Sequence, residues 1–236
     1  MKLIAEGIRR SFFRNKESAN TFNAVEKTNF ILPEGELTEI IGRSGSGKST
    51  FANILAGLLK PSEGKVFIDG KDIYELEDKA RSEFRNKHIG MIPQEQTGLR
   101  SLTVLENVLL PVSLYKDASK KESFAKELLK MVGIEDLWDV YSNELSGGEL
   151  RRMVIARALI NEPEIIIADE PTGDLDDETT NLVLKLLREA ADRGASVLMN
   201  THERKALAYA DTVYRMDKGV LKPFFPDTGS DFEDRR

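Results

Sequence analysis

Gly42-Arg43-Ser44-Gly45-Ser46-Gly47-Lys48-Ser49-Thr50 has the spacing G-x-x-x-x-G-K-[ST]. Its glycines let successive backbone N–H groups converge on an anion without interference from a Cβ. The helix expected to follow adds the positive end of its dipole. Lys48 can then reach β- and γ-phosphates, and the Ser49 hydroxyl can ligate Mg²⁺. The chemistry is the binding of a nucleotide's phosphates. Downstream, Ile165-Ile166-Ile167-Ala168-Asp169-Glu170 reads as a buried strand ending in two carboxylates. Such a strand can simply leave a core through charged residues. Next to a phosphate loop, Asp169 is placed to hold Mg²⁺ through water beside Ser49. Glu170, one residue on, points elsewhere and can polarise a water for in-line attack on the γ-phosphate.

Between these two features lies Leu145-Ser146-Gly147-Gly148-Glu149. Ser146 begins a helix, so its hydroxyl and the first N–H groups can bind phosphate oxygens. Ser146 with Glu149 three residues later is also a capping box. The box explains why a helix starts there. It does not explain the paired glycines, each of which weakens a helix start by roughly 1 kcal/mol relative to alanine.

The elements that must position these residues alternate between short strands and amphipathic helices, which predicts an α/β fold with a largely parallel sheet. Residues 37–41 read as a strand entering the loop, and 48–58 as a helix closed by Lys60-Pro61. Residues 65–68 form a strand before the turn Asp69-Gly70, and with the N-terminal segment they suggest a small antiparallel piece. Residues 77–87 read as a charged helix. Apolar residues recur at helical spacing over 101–110 and 118–132, with Gly133 as a C-terminal stop. Residues 146–160 form another helix, and 95–160 together read as a helical sub-domain inserted into the core. The strands 164–168 and 196–200 are continuously apolar, as a sheet buried on both faces requires. A helix from 177 to 193 joins them, stopped by Gly194. The segment 223–236 reads as a frayed acidic tail.

Composition narrows the possibilities. In 236 residues there are 34 Lys and Arg against 40 Asp and Glu, a net charge of −6, so no nucleic-acid partner is expected. The absence of cysteine excludes disulfides and thiolate chemistry, and two histidines make a multi-histidine metal site unexpected. No apolar run approaches the ~18 residues of a membrane helix. The first ten residues have only Leu3-Ile4-Ala5 as an apolar patch, which is no secretory signal. The expected location is cytoplasmic, with any membrane contact made through a partner.

Over residues 2–222 the chain resembles the ATP-binding subunit of ABC transporters. The resemblance rests on the Walker A loop 42–50, the Q-loop Gly90-Met91-Ile92-Pro93-Gln94 and the signature 145–149. After these come the Walker B strand 165–170, the D-loop Gly173-Asp174-Leu175-Asp176 and the switch histidine of Asn200-Thr201-His202-Glu203. The runs Ala168 to Asp176 and Leu105-Glu106-Asn107-Val108 look like the lipoprotein-release and macrolide-export subgroup.

The resemblance implies a P-loop NTPase (RecA-like) core spanning 1–222, with an antiparallel β sub-domain and an inserted helical signature sub-domain. It implies ATP and Mg²⁺ as cofactors, a second copy of the chain as partner, and integral-membrane permease subunits. The chain would then sit on the cytoplasmic face of the membrane. Each ATP would lie between residues 42–50 of one copy and Ser146, Gly147, Gly148 and Glu149 of the other. Gln94 would touch Mg²⁺ or the attacking water, and His202 would orient that water with Glu170. Asp174 and Asp176 would communicate between the sites. Residues 95–112 would form the docking groove for the membrane subunit.

The chain departs from the pattern in three places. The adenine-stacking aromatic is usually tyrosine, and here Phe12 or Phe13 stands at the matching place, with Phe12 preferred. Leu150 follows the signature where glutamine is common. Pro93 replaces an aromatic before Gln94. Arg151 and Arg152 are expected at the nucleotide ribose or at the surface, and His88 is expected to be merely solvated. Two other readings compete with a transporter subunit. A soluble ABC ATPase would usually bring tandem cassettes, coiled-coil arms or zinc modules, and this chain has none of them. A regulatory module that holds ATP without cycling would not need Glu170 and His202.

Overall fold

The computed structural model describes residues 1–13, 21–95, 97–173 and 175–225. Asp174 and most of the expected acidic tail, 226–236, lie outside them.

Two sheets form the body. The first is antiparallel and contains β1 (Leu3–Phe13), β2 (Thr21–Leu32), β4 (Glu63–Ile68) and β5 (Lys71–Asp72), in the order β2-β1-β4-β5. The second contains β3 (Leu37–Ile41), β6 (Ile89–Ile92), β7 (Ile165–Asp169), β8 (Ser196–Asn200), β9 (Thr212–Asp217) and β10 (Val220–Pro223). Its order is β10-β9-β3-β8-β7-β6, and only the β9–β10 pair is antiparallel. The strands β3, β7 and β8 are buried almost throughout, which matches their unbroken apolar composition.

The helix α1 (Lys48–Leu55) follows β3 and fills the space between the sheets. Phe51, Ile54 and Leu55 are fully buried there with Leu3 and Ile8 of β1 and Leu198 of β8. α1 ends earlier than its sequence suggests, because Gly57 at φ 70° turns the chain out of the helix before Lys60-Pro61. On the other face of the large sheet, α6 (Asp177–Asp192) packs Val183, Leu184 and Leu187 against Val197 and Met199. The helices α3 (Val104–Ser113), α4 (Glu122–Met131) and α5 (Gly147–Leu159) share that same apolar cluster through Val108, Leu129 and Val154. α3 starts three residues later than its periodicity suggests, at a capping box formed by Thr103 and Glu106. The charged helix α2 (Asp78–His88) runs directly into β6.

One core residue breaks the pattern. Glu39 lies mid-way along β3, fully buried, between Met199 of β8 and Val213 of β9, and neither carboxyl oxygen has a hydrogen-bond partner. Burial pushes its carboxyl up from 4.5 to about 8. A carboxyl with a raised native pKa is neutral in the fold while the unfolded chain has already ionised. The Glu39 contribution to stability is therefore most favourable below pH 4.5 and falls as pH rises toward 8. Glu39→Gln should flatten that slope and remove roughly 4 kcal/mol of destabilisation at pH 8. Isothermal urea unfolding at pH 5, 6.5 and 8 checks it; equal slopes for the two proteins would contradict the account.

Candidate functional site

The loop 42–47 lies at the carboxyl end of β3, where parallel α/β sheets place their ligands. Two of its glycines are sterically required. A Cβ on Gly42 would stand 2.3 Å from the Met216 carbonyl oxygen, and one on Gly47 would stand 2.1 Å from that of Ala24. Gly47 also has φ 110° and is the residue at which α1 begins, without a side-chain cap. The uncapped N–H groups of α1 therefore face the loop interior. The Ser46 N–H donates to the Arg43 carbonyl and closes the turn, while the Ser46 hydroxyl is buried without a partner. Lys48 folds back across the loop and donates to the carbonyls of Gly42 (2.7 Å) and Arg43 (3.3 Å).

β7 delivers Asp169, which is 3% exposed and accepts a hydrogen bond from the Asn200 side-chain amide at 3.1 Å. The sheet register sets Ile40, Asn200 and Asp169 side by side across three strands, so Asp169 stands about two strand spacings, roughly 10 Å, from β3. Glu170 follows in the left-handed region at φ 51°, an uncommon conformation for a residue with a side chain. Its N–H donates to the Asn200 carbonyl, which fixes the turn. Its carboxylate lies 2.9 Å from Nδ1 of His202. The Glu170 side chain is 14% exposed and that of His202 70%, so the pair sits at the mouth of a cleft.

That cleft encloses about 810 Å³. It brings together Phe12, the loop from Gly42 to Thr50, Gln94, Glu170 and His202. Phe13 is not in its lining and is 74% exposed. The second aromatic wall is Phe22, which the sequence reading missed. It pairs with Phe12 across β1 and β2, with ring centroids 5.9 Å apart, and Arg10 covers Phe12 at 4.7 Å. A cross-strand partner of a β1 aromatic was a signal available in principle, through the strand register.

Ser146, Gly147, Gly148 and Glu149 do not line the cleft. They form the start of α5 at the surface. The Ser146 hydroxyl accepts from the Glu149 N–H, and the Glu149 carboxylate takes both the Ser146 N–H and its hydroxyl. Those two contacts hold the Glu149 carboxyl below the usual carboxylate range. Asp176 is likewise a cap: its two oxygens accept from the N–H and hydroxyl of Thr179, which lowers its pKa.

One sequence expectation is narrowed and one corrected. Of its two expected places Arg151 is not on the surface, and it lines the cleft. It is 2% exposed and donates to the carbonyls of Pro93 and Gln94, because the first turns of α5 pack under the strand end that carries them. His88 is not simply solvated; its Nδ1 lies 3.1 Å from the Glu164 carboxylate and its side chain is 14% exposed, since α2 delivers it to the edge beside β7.

A magnesium ion fits what is present. Among the described residues no three His, Asp or Glu side chains cluster, so these residues form no all-protein cage. Of the expected donors, the Ser49 hydroxyl and the Gln94 carboxamide line the cleft, and the Asp169 carboxylate lies outside its lining. That sparse oxygen set suits an ion that keeps waters and takes phosphate oxygens.

The family model described as ABC transporter matches residues 25–173. An ABC transporter ATP-binding protein of Methanocaldococcus jannaschii is 41% identical over 84% of this chain and 89% of its own length. The lipoprotein-releasing system ATP-binding protein LolD of Francisella tularensis is 39% identical over 84% and 87%. A methionine import ATP-binding protein of Rhizobium meliloti is 42% identical over 85% of this chain and 56% of that protein. Among solved structures, a dimeric bacterial ABC transporter cassette superposes with a TM-score of 0.87 at 32% identity, covering 95% of this chain and all of that one. A second structure of the same cassette, bound to ADP and Pi after hydrolysis, fits equally well.

The aromatic wall makes a prediction. Phe12→Ala should weaken binding of a fluorescent ATP analogue roughly tenfold, the loss of one stacked base, while Phe13→Ala changes it little. Equilibrium fluorescence titration measures both, and equal losses would remove Phe12 from the site.

Proposed function

The chain belongs to the ABC transporter ATP-binding family, and we propose that two copies close head to tail around two ATP molecules beneath a membrane subunit. It is an ATP-binding and ATP-hydrolysing subunit of a transporter. The observation that carries the two-copy reading is the separation described above. The phosphate loop, Glu170 and His202 share one cleft, whereas the second glycine-rich helix start is at the surface and outside its lining. A surface helix N-terminus with two glycines offers free N–H groups to an anion supplied from outside. The dimeric form of the similar cassette supports the same arrangement.

In this reading the N–H groups of residues 44–49 cradle the β- and γ-phosphates, and Lys48 leaves the carbonyls of Gly42 and Arg43 to reach them. Phe12 stacks on the base. Ser146 and Gly148 of the other copy contact the γ-phosphate. Ser49, Asp169 and Gln94 hold Mg²⁺, which when bound neutralises charge on the β- and γ-phosphates. Glu170 accepts a proton from the attacking water, and His202 holds the Glu170 carboxylate and the γ-phosphate in register. The fixed turn at Glu170 keeps that carboxylate aimed, so little reorganisation is needed at the moment of reaction.

In this reading the chain reaches the membrane through a permease partner; among the described residues no helix is long and apolar enough to cross a bilayer. We place the permease contact along residues 95–112. There the buried Asn107 side chain accepts from the Leu99 N–H and donates to the carbonyls of Leu99, Leu102 and Thr103. This holds Leu99, 48% exposed, on a fixed backbone. The residues favour neither direction of transport, since a lipoprotein-releasing protein and a methionine importer are about equally similar. The cargo is chosen by the membrane subunit.

Glu170→Gln should keep ATP binding, lose at least about a hundredfold in turnover and accumulate dimer. Steady-state phosphate release with light scattering tests it, and undiminished turnover would remove Glu170 as the base. Ser146→Arg should abolish ATP-driven dimerisation while monomer affinity stays within about twofold. Sedimentation with ATP decides it: normal dimerisation of that variant would end the cross-subunit reading.

A further inference from the structure

Arg151 lies in the second turn of α5, five residues past Ser146, yet only 2% of it is exposed. Its guanidinium spans two consecutive carbonyls, with Nη1 2.7 Å from the Pro93 oxygen and Nη2 2.9 Å from the Gln94 oxygen. β6 ends at Ile92, so both carbonyls have left the sheet ladder. Pro93 brings no N–H of its own to the turn. A planar fork matches two adjacent oxygens in a way a lysine ammonium does not. The same Nη2 is 3.7 Å from the place where a Cβ on Gly173 would stand, so Arg151 also borders the turn that follows Glu170.

We propose that Arg151 is a positioning residue that makes the Gln94 turn and the start of α5 move as one piece. The inference rests on the cross-subunit reading above. In that reading Gln94 serves the nucleotide of its own copy, while Ser146 and Gly148 serve the nucleotide of the other. A single buried side chain then joins the two sites within each chain. Drawing Gln94 toward a bound nucleotide carries the Ser146 end of α5 with it, toward the second nucleotide. Loss of the fork lets each site close without the other.

The test uses hydrogen exchange in full-length protein carrying Glu170→Gln, in which ATP-bound dimer accumulates. In that parent, ATP protects the peptide around Gln94 and the peptide containing Ser146 with the same concentration midpoint. Adding Arg151→Gln should separate the two midpoints by about tenfold, and Arg151→Lys, which keeps one contact, should give a smaller separation. In protein with Glu170 intact, Arg151→Gln should lower kcat about tenfold. Thermal melts confirm that each variant is folded, and Arg151→Lys alone decides the matter if Arg151→Gln is not. Coincident midpoints in the folded variant would overturn the inference while leaving the dimer intact. A parent that forms no dimer with ATP would instead overturn the cross-subunit reading, and the inference with it.

Discussion

The carbonyl oxygens of Met216 and Ala24 occupy the volume that a Cβ would need at Gly42 and Gly47. One belongs to β9 of the large sheet and the other to β2 of the antiparallel sheet. The phosphate loop is therefore held between two sheets, and its shape depends on how those sheets meet. Two backbone contacts continue the clamp: the Gly219 N–H donates to the Ser46 carbonyl, and the Glu26 N–H donates to that of Gly219. The sheets are kept at this separation by aromatic packing. Phe30 of β2 meets Phe51 of α1 and Tyr214 of β9 edge-on, at 5.2 and 5.4 Å. A change in that distant cluster would be felt at the loop as a shift in where its N–H groups converge.

Much of this was legible in the sequence because the controlling physics is local. The loop announces itself by glycines at fixed spacing, and the buried strands by unbroken runs such as Ile165 to Ala168. The helix starts at Ser146 and Asp176 follow from side chains that reach their own backbone. What stayed hidden depends on register or on long reach. Phe22 becomes a cleft wall only because it faces Phe12 across a hairpin. Arg151 looks like a surface charge on a polar helix face until α5 is packed under the end of β6. His88 meets Glu164 across 76 residues. Glu39 reads as a polar position in a strand, and nothing local says that both its neighbours in the sheet are apolar.

The Ser146 hydroxyl carries a single hydrogen. In the structure that hydrogen goes to the Glu149 carboxylate, 2.7 Å away. A hydroxyl can accept more than one bond but can donate only once. If it turns to a phosphate oxygen supplied by another copy, it must release Glu149, and the carboxylate must then turn from an arriving anion of like charge. The hydroxyl's bond to Glu149 and the phosphate contact are thus mutually exclusive uses of one proton, whereas the two backbone bonds of the capping box do not involve it. An isolated copy keeps that one proton occupied at rest. The hydroxyl turns to an incoming phosphate only when that contact outcompetes a neighbour three residues along its own chain.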